Sequence, residues 1–185
     1  LLDLIQRKII SPCKMVDLGC GTGTYSLCFA KLGYETYGFD YSHIAIDKAK
    51  ELFQSNGFHN HFEESDLSQA MKPIEHLFEF AFDYEVLHHI FPENRSQYVK
   101  NAHSMLAPNG QYLSVCFSEA DECFGSMGKY RKTPLGTTLY FSSEEEIEEL
   151  TTPYFDIIAL KTIEIEGKPK SHQAVYCLMQ KKSSN

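Results

Sequence analysis

Short apolar runs alternate along the chain with longer stretches in which apolar residues recur every three or four positions. This alternation predicts a mostly parallel sheet covered by helices. The run Met15-Val16-Asp17-Leu18 ends in Gly19-Cys20-Gly21-Thr22-Gly23 and passes into a helix over about residues 24–32. A second strand, residues 35–40, leads to a helix with Ser42 as its N-cap and Ala45, Ala49, Leu52 and Phe53 on one face. A weaker third strand ends near Ser65-Asp66. A fourth, residues 78–83, is apolar apart from Glu79 and its last residue. Pro92 is placed to open a helix whose Tyr98, Val99, Ala102, Met105 and Leu106 share a face. Pro108-Asn109-Gly110 then turns the chain into a fifth strand, residues 111–117.

After Phe117 the period is lost, and residues 118–141 read as a loop or lid. Ser143 and Glu146 form a capping-box pattern that opens a short helix ending near Thr151. Two further strands, residues 155–166 and 173–180, flank Gly167-Lys168-Pro169-Lys170, a hairpin signature that makes at least one of them antiparallel. No repeat or linker interrupts the chain, so residues 1–185 are expected to form one domain, frayed only after Lys181. The first residues (Leu1, Leu2, Leu4, Ile5, Ile9, Ile10) read as the middle of an apolar helix, and with no initiator Met the natural start is expected upstream.

Composition narrows the classes of function. The 185 residues are 43% hydrophobic and 23% charged, as in ordinary globular proteins. With 17 basic against 25 acidic residues the formal charge is −8, poorly suited to gripping a phosphate backbone, so no nucleic-acid partner is expected. No long apolar span or charged-then-apolar leader is present, so no membrane partner is expected either. Cys13, Cys20, Cys28, Cys116, Cys123 and Cys177 form no CxxC pair; reduced cysteines, a cytoplasmic location and no metal site are the expectation.

The chemistry concentrates at the ends of the first strands. Glycines between a strand and a helix let the chain turn tightly and let a ligand press against the main chain. Asp17, two residues before Gly19, favours a cationic ligand group over a pyrophosphate, and Thr24 stands where the dinucleotide fingerprint wants Gly or Ala. Asp40 ends the second strand, where a carboxylate can accept hydrogen bonds from ribose hydroxyls. Asp66, beside Leu67, could accept from an exocyclic adenine amine.

Taken in order, VDLGCGTG, YGFDYSHIAIDKAKE, ESDL, VLHHI and MLAPNGQYL resemble the motif set of class I S-adenosylmethionine-dependent methyltransferases. The resemblance covers roughly residues 13–117. It implies a Rossmann-like α/β fold: a seven-stranded, mostly parallel sheet with an antiparallel last strand and helices on both faces. It further implies S-adenosylmethionine as cofactor, with Asp17, Gly19, Cys20, Gly21, Thr22 and Gly23 around the methionine moiety. Asp40 would hold the ribose, with Tyr41 beside it among the cofactor-binding residues; Asp66 and Leu67 would meet the adenine, and Asp83 with Tyr84 would lie near the reactive sulfonium. Glu79 departs from the Asp common in the family. In size and in its later segment the chain looks similar to small-molecule enzymes of the thiopurine and tellurite-resistance type, which implies a small-molecule methyl acceptor.

Of the adjacent His88 and His89, His88 is the candidate for the cofactor wall or for a base serving an oxygen or nitrogen acceptor. Tyr130, Arg131 and Tyr140 are the candidate acceptor contacts, with Arg131 orienting an anion between aromatic walls. Two alternatives stay open at this level: a nucleotide-binding oxidoreductase on a similar sheet, and a cofactor-binding protein without turnover.

Overall fold

Strands buried on both faces need continuous apolar runs, and the central strands have them. The computed structural model describes residues 10–59, 61–71, 74, 77–124, 128–167 and 170–183. The expected helix through Leu1, Leu2, Leu4, Ile5 and Ile9, the Lys168-Pro169 centre of the last turn, and Ser184 and Asn185 lie outside the described residues. Five strands run parallel: β1 (Lys14–Leu18), β2 (Glu35–Asp40), β3 (Phe62–Glu64), β4 (Phe78–Tyr84) and β5 (Leu106–Phe117). With β8 (Phe155–Ile165) and β9 (His172–Lys181) they form a seven-stranded sheet of order β3-β2-β1-β4-β5-β9-β8. β9 is antiparallel to both of its neighbours, β5 and β8; its pairing with β8 is the one the hairpin signature indicates.

Among the described residues, four helices cover the sheet: α1 (Thr24–Lys31), α2 (His43–Ser55), α3 (Pro92–Met105) and α4 (Glu144–Thr151). On one face Tyr98, Val99 and Ala102 of α3 and Ile147 of α4 pack on Val16, Ala81, Tyr112 and Cys177. On the other, Phe29 of α1 packs with Met15, Phe80, Phe82 and Leu113, while Ile46, Ala49 and Phe53 of α2 pack against Phe62. The caps act where the residue types indicate. Ser42 Oγ accepts from Ala45 N–H, and Ser143 and Glu146 make a reciprocal capping box. Glu79, the departure in β4, points out of the core and accepts from Lys14 N–H at 3.0 Å.

Three elements differ from the sequence reading. β3 ends at Glu64, leaving Asp66 just beyond it. β5 begins at Leu106, and its pairing with β4 shifts register between Phe78 and Phe80, where Pro108-Asn109-Gly110 interrupts it. Within residues 118–141, β6 (Tyr130–Lys132) and β7 (Thr138–Tyr140) form a small antiparallel hairpin. Its inward residue on β6 is Arg131, so the alternation that betrays a strand is inverted. Among the described residues, no helix is long and apolar enough to cross a membrane.

Candidate functional site

The turn out of β1 is built on glycine. Gly19 N–H and Cys20 N–H both donate to Phe39 O, at 2.7 and 2.9 Å, which draws the end of β1 against β2. Gly19 has φ +76°, and a Cβ there would lie 2.6 Å from Val86 Cγ2, so only glycine lets the ends of β1 and β4 approach this closely. Asp40 closes the arrangement from β2. One carboxylate oxygen accepts from Gly21 N–H at 2.8 Å and the other from Ser42 N–H at 2.9 Å. Asp66 is fixed similarly, accepting from Ser68 N–H at 2.9 Å and from Ser68 Oγ at 2.6 Å.

Beyond the carboxyl ends of β1 to β4 lies a cavity of about 590 Å³. This is where open α/β sheets bind ligands. Gly19, Asp40, Tyr41, Asp66 and Leu67 line it, so five of the sequence candidates from three separate motifs meet in one wall. Ser65, Ser68, Glu85, Val86, His89, Ile90 and Tyr98 complete it, with Thr137 and Thr138 arriving from the β6–β7 hairpin. Cys20, Gly21, Thr22, Gly23 and Tyr84 do not line the cavity. Cys20 is buried beneath the loop, where burial pushes its thiol up. Tyr84 lies against Tyr25, ring centres 5.0 Å apart, its phenol pushed up to about 12 chiefly by burial.

Asp17 and Asp83 sit below the cavity. Asp17 is 4% exposed and accepts from Ser26 Oγ at 2.6 Å. Burial raises its carboxyl to about 7; the Ser26 bond opposes the shift, and the nearby Asp40 and Asp83 add to it. Asp83 is fully buried and accepts from the Tyr112 and Ser114 hydroxyls. Burial raises it to about 7 as well, against those two bonds. Asp83, expected near the sulfonium, is a carboxyl held inside the sheet and does not line the cavity.

The histidine pair sits the other way round from the expectation. Both lie on a 3-10 turn, Leu87–His89, that follows β4. His88 is buried, stacked on Phe117 with ring centres 4.1 Å apart, and its Nδ1 accepts from Phe117 N–H at 3.3 Å. Desolvation lowers its pKa well below the usual imidazole value, and His89 and Arg95 add to that. His89 is the one in the cavity wall. Glu85, which the sequence reading passed over, has φ +66° and also faces the cavity, its carboxyl raised by burial. Its signal was its place just past the end of β4.

The acceptor candidates are held apart from this wall. Arg131 is 3% exposed, and its guanidinium donates to the carbonyls of Glu119, Asp121, Cys123 and Gly128. It also lies 4.1 Å over the Phe141 ring. Those bonds commit the group to shaping the loop and leave it no free edge for an anion. Tyr140 is buried and donates to Glu146 at 2.7 Å, while Tyr130 is exposed and packs edge-on to Tyr140 and Phe91. Arg95, absent from the sequence candidates, plays a similar part from α3. It donates to Ile90 O, Leu87 O and Ser142 Oγ and lies 4.5 Å over Tyr140, which ties the turn after β4 to the hairpin.

A family model described as a methyltransferase domain matches residues 15–110. TehB of Haemophilus influenzae, described as a probable S-adenosyl-L-methionine-dependent methyltransferase, is 29% identical over 115 residues, which is 62% of this chain and 40% of that protein. Thiocyanate methyltransferase 1 of Arabidopsis thaliana is 26% identical over 171 residues, 91% of this chain and 67% of that one. The chain thus spans about two fifths of TehB and two thirds of the plant protein. A crystal structure of a SAM-dependent methyltransferase from Methanosarcina mazei superposes with a TM-score of 0.83 at 21% identity, covering 100% of this chain and 99% of that one, and shares its fold.

Proposed function

This chain belongs to the methyltransferase-domain family, and on that footing we propose that it transfers the methyl group of S-adenosylmethionine to a small-molecule acceptor by in-line displacement. The observation that carries the reading is the convergence of Gly19, Asp40 and Asp66 on one cavity of about 590 Å³, a size in the ordinary range for a cofactor site.

The residues fit the cofactor on three counts. Gly19 brings no side chain to the cavity wall, so a ligand there can meet the backbone of the loop directly. Asp40 and Asp66 hold carboxylates at the wall that can take further hydrogen bonds from ribose and adenine. Asp17, buried and repelled by Asp40 and Asp83, gains most from a cationic neighbour. When bound, the cofactor supplies a methyl group on a positively charged sulfur.

The chain's own part is alignment and exclusion of water. Gly19, Val86, Leu67 and Ile90 line the cavity, and Thr137 and Thr138 bring the hairpin into its wall. On the acceptor side stand Glu85 and His89, and we assign to His89 the role first expected of His88. An acceptor that attacks as an anion needs no base, and the relative named for thiocyanate is consistent with one. Arg131 is assigned to shaping the loop rather than to touching the acceptor. The six cysteines are free thiols and suit the cytoplasm, and the charge of −8 disfavours nucleic acid as acceptor.

Calorimetry with S-adenosylhomocysteine tests the reading. Saturable one-to-one binding is expected, and no binding would overturn it. A labelled-methyl assay across thiols, thiocyanate, phenols and amines then identifies the acceptor; binding without any product would favour a cofactor-binding protein without turnover.

A further inference from the structure

Outside the cavity, the start of β9 and the loop after β5 bring together a carboxylate, a thiol and an imidazole. We propose that Asp121, Cys123 and His172 bind a divalent cation of the zinc class, through one oxygen, one sulfur and one nitrogen, with a fourth position open to water or a small anion.

The geometry suits that ion. The three donor atoms lie within 4.8 Å of one another. His172 Nδ1 and Asp121 Oδ2 are 3.4 Å apart. Zinc–nitrogen and zinc–oxygen bonds of about 2.0–2.2 Å at a tetrahedral angle place their ends about 3.4 Å apart. The mixture of donors favours zinc over calcium or magnesium, which take oxygen ligands. Three protein ligands with one free position is the pattern of a reactive or exchangeable zinc site rather than a closed structural one.

A simple Asp–His pair leaves one fact unexplained. His172 is 9% exposed, and its Nδ1 has no hydrogen-bond partner despite the carboxylate nearby. The contact has the distance of an ion pair without the alignment of a hydrogen bond, so a buried nitrogen is aimed into the cluster unsatisfied. A metal ion there would use its lone pair. Asp121, 3% exposed, accepts from both Gln173 N–H and Cys123 N–H at 2.6 Å, which fixes its carboxylate in place beside the other two donors.

The cluster is also built in place. Arg131 holds the carbonyls of Glu119, Asp121 and Cys123, and Ser118 N–H donates to Gln173 O at 2.9 Å. The loop bearing two ligands is thereby fastened to the strand bearing the third, as a preorganised site demands. Phe117 connects it to the turn after β4, its ring 4.8 Å from that of His172 and 4.1 Å from that of His88. No residue of the cluster lines the cavity, so the proposal does not depend on methyl transfer.

Cobalt(II) titration of the reduced full chain, followed by absorption, tests it. One equivalent should bind with tetrahedral ligand-field bands and a sulfur-to-cobalt charge-transfer band, and zinc(II) should displace it. Cys123→Ser should abolish the charge-transfer band, and His172→Asn should weaken binding at least tenfold. Cys28→Ser, which removes an exposed thiol elsewhere, should change neither. Thermal unfolding gives a second measure: zinc(II) should raise the melting temperature of the parent and of Cys28→Ser and leave that of His172→Asn in place. An octahedral cobalt spectrum without charge transfer, affinity unchanged in Cys123→Ser or His172→Asn, or an equal zinc shift in all three proteins would overturn the site.

Discussion

The two sides of the cavity are held by chemically opposite side chains, acids on one and guanidinium groups on the other. On the β1–β2 side, carboxyls do the work: Asp40 fixes the glycine loop through Gly21 N–H, and Asp17 and Asp83 lie buried beneath it. On the hairpin side the anchors are Arg95 and Arg131, which spend their donors mainly on main-chain carbonyls. The first side is made by short connections between neighbouring elements. The second joins a short hairpin to the loop after β5 and the turn after β4, which meet it by little more than the Ser118–Ser142 bridge, so side chains satisfy carbonyls that a longer ladder would satisfy. Acids at a raised pKa make one half responsive to pH, whereas guanidinium groups stay charged throughout the usual range.

The pH response should separate the halves most widely. Burial raises Asp83 and Asp17 to about 7, so the folded chain retains protons that unfolded carboxyls release at about pH 4. Their stability contribution is full below that pH and is lost as pH rises toward 7. Asp83→Asn, which keeps the partners Tyr112 and Ser114, should flatten that decline by on the order of 4 kcal/mol, measured by urea unfolding across the window. An unchanged slope would mean that Asp83 is ionised in the fold. Arg131→Met leaves four carbonyls without their donor and should cost about 3 kcal/mol at any pH in that range. It should alter acceptor kinetics and leave S-adenosylhomocysteine affinity within about twofold; an equal loss of cofactor affinity would erase the division between the halves.

Gly19→Ala should cost about 2 kcal/mol, from the positive φ and the contact with Val86. Adding Val86→Ala should recover part of this, and a double variant no better than the single would assign the whole cost to the backbone. The smallest effect belongs to Asp40→Asn, which should weaken S-adenosylhomocysteine binding by about 1 kcal/mol in calorimetry, because an amide loses the charge-assisted part of its ribose contacts. Unchanged affinity would remove Asp40 from the ribose.

Legibility from the sequence follows the same division. Residues 15–40 announce strand, glycine turn, helix and strand in contiguous text, and Gly19 and Asp40 stand in the cavity wall where that text puts them. The hairpin is not legible as strands because each is three residues long and Arg131 occupies the inward position. His88 and His89 are adjacent on a 3-10 turn, so only the packing of Phe117 decides which one is buried. The Asp121, Cys123 and His172 cluster had no sequence signal, since its ligands meet only through the pairing of β5 with β9. Cysteine spacing gave no reason to expect a metal there.

The order of the sheet also bears on synthesis. β9 lies between β5 and β8 yet is the last of the seven strands to leave the ribosome. Until it emerges, β5 presents an open edge of unpaired backbone and β8 has no neighbour, which exposes the nascent chain to pairing with other copies. The five parallel strands can assemble early, but the sheet closes only when residues 172–181 insert. A chain stalled before that point would be a substrate for chaperones rather than a smaller folded domain.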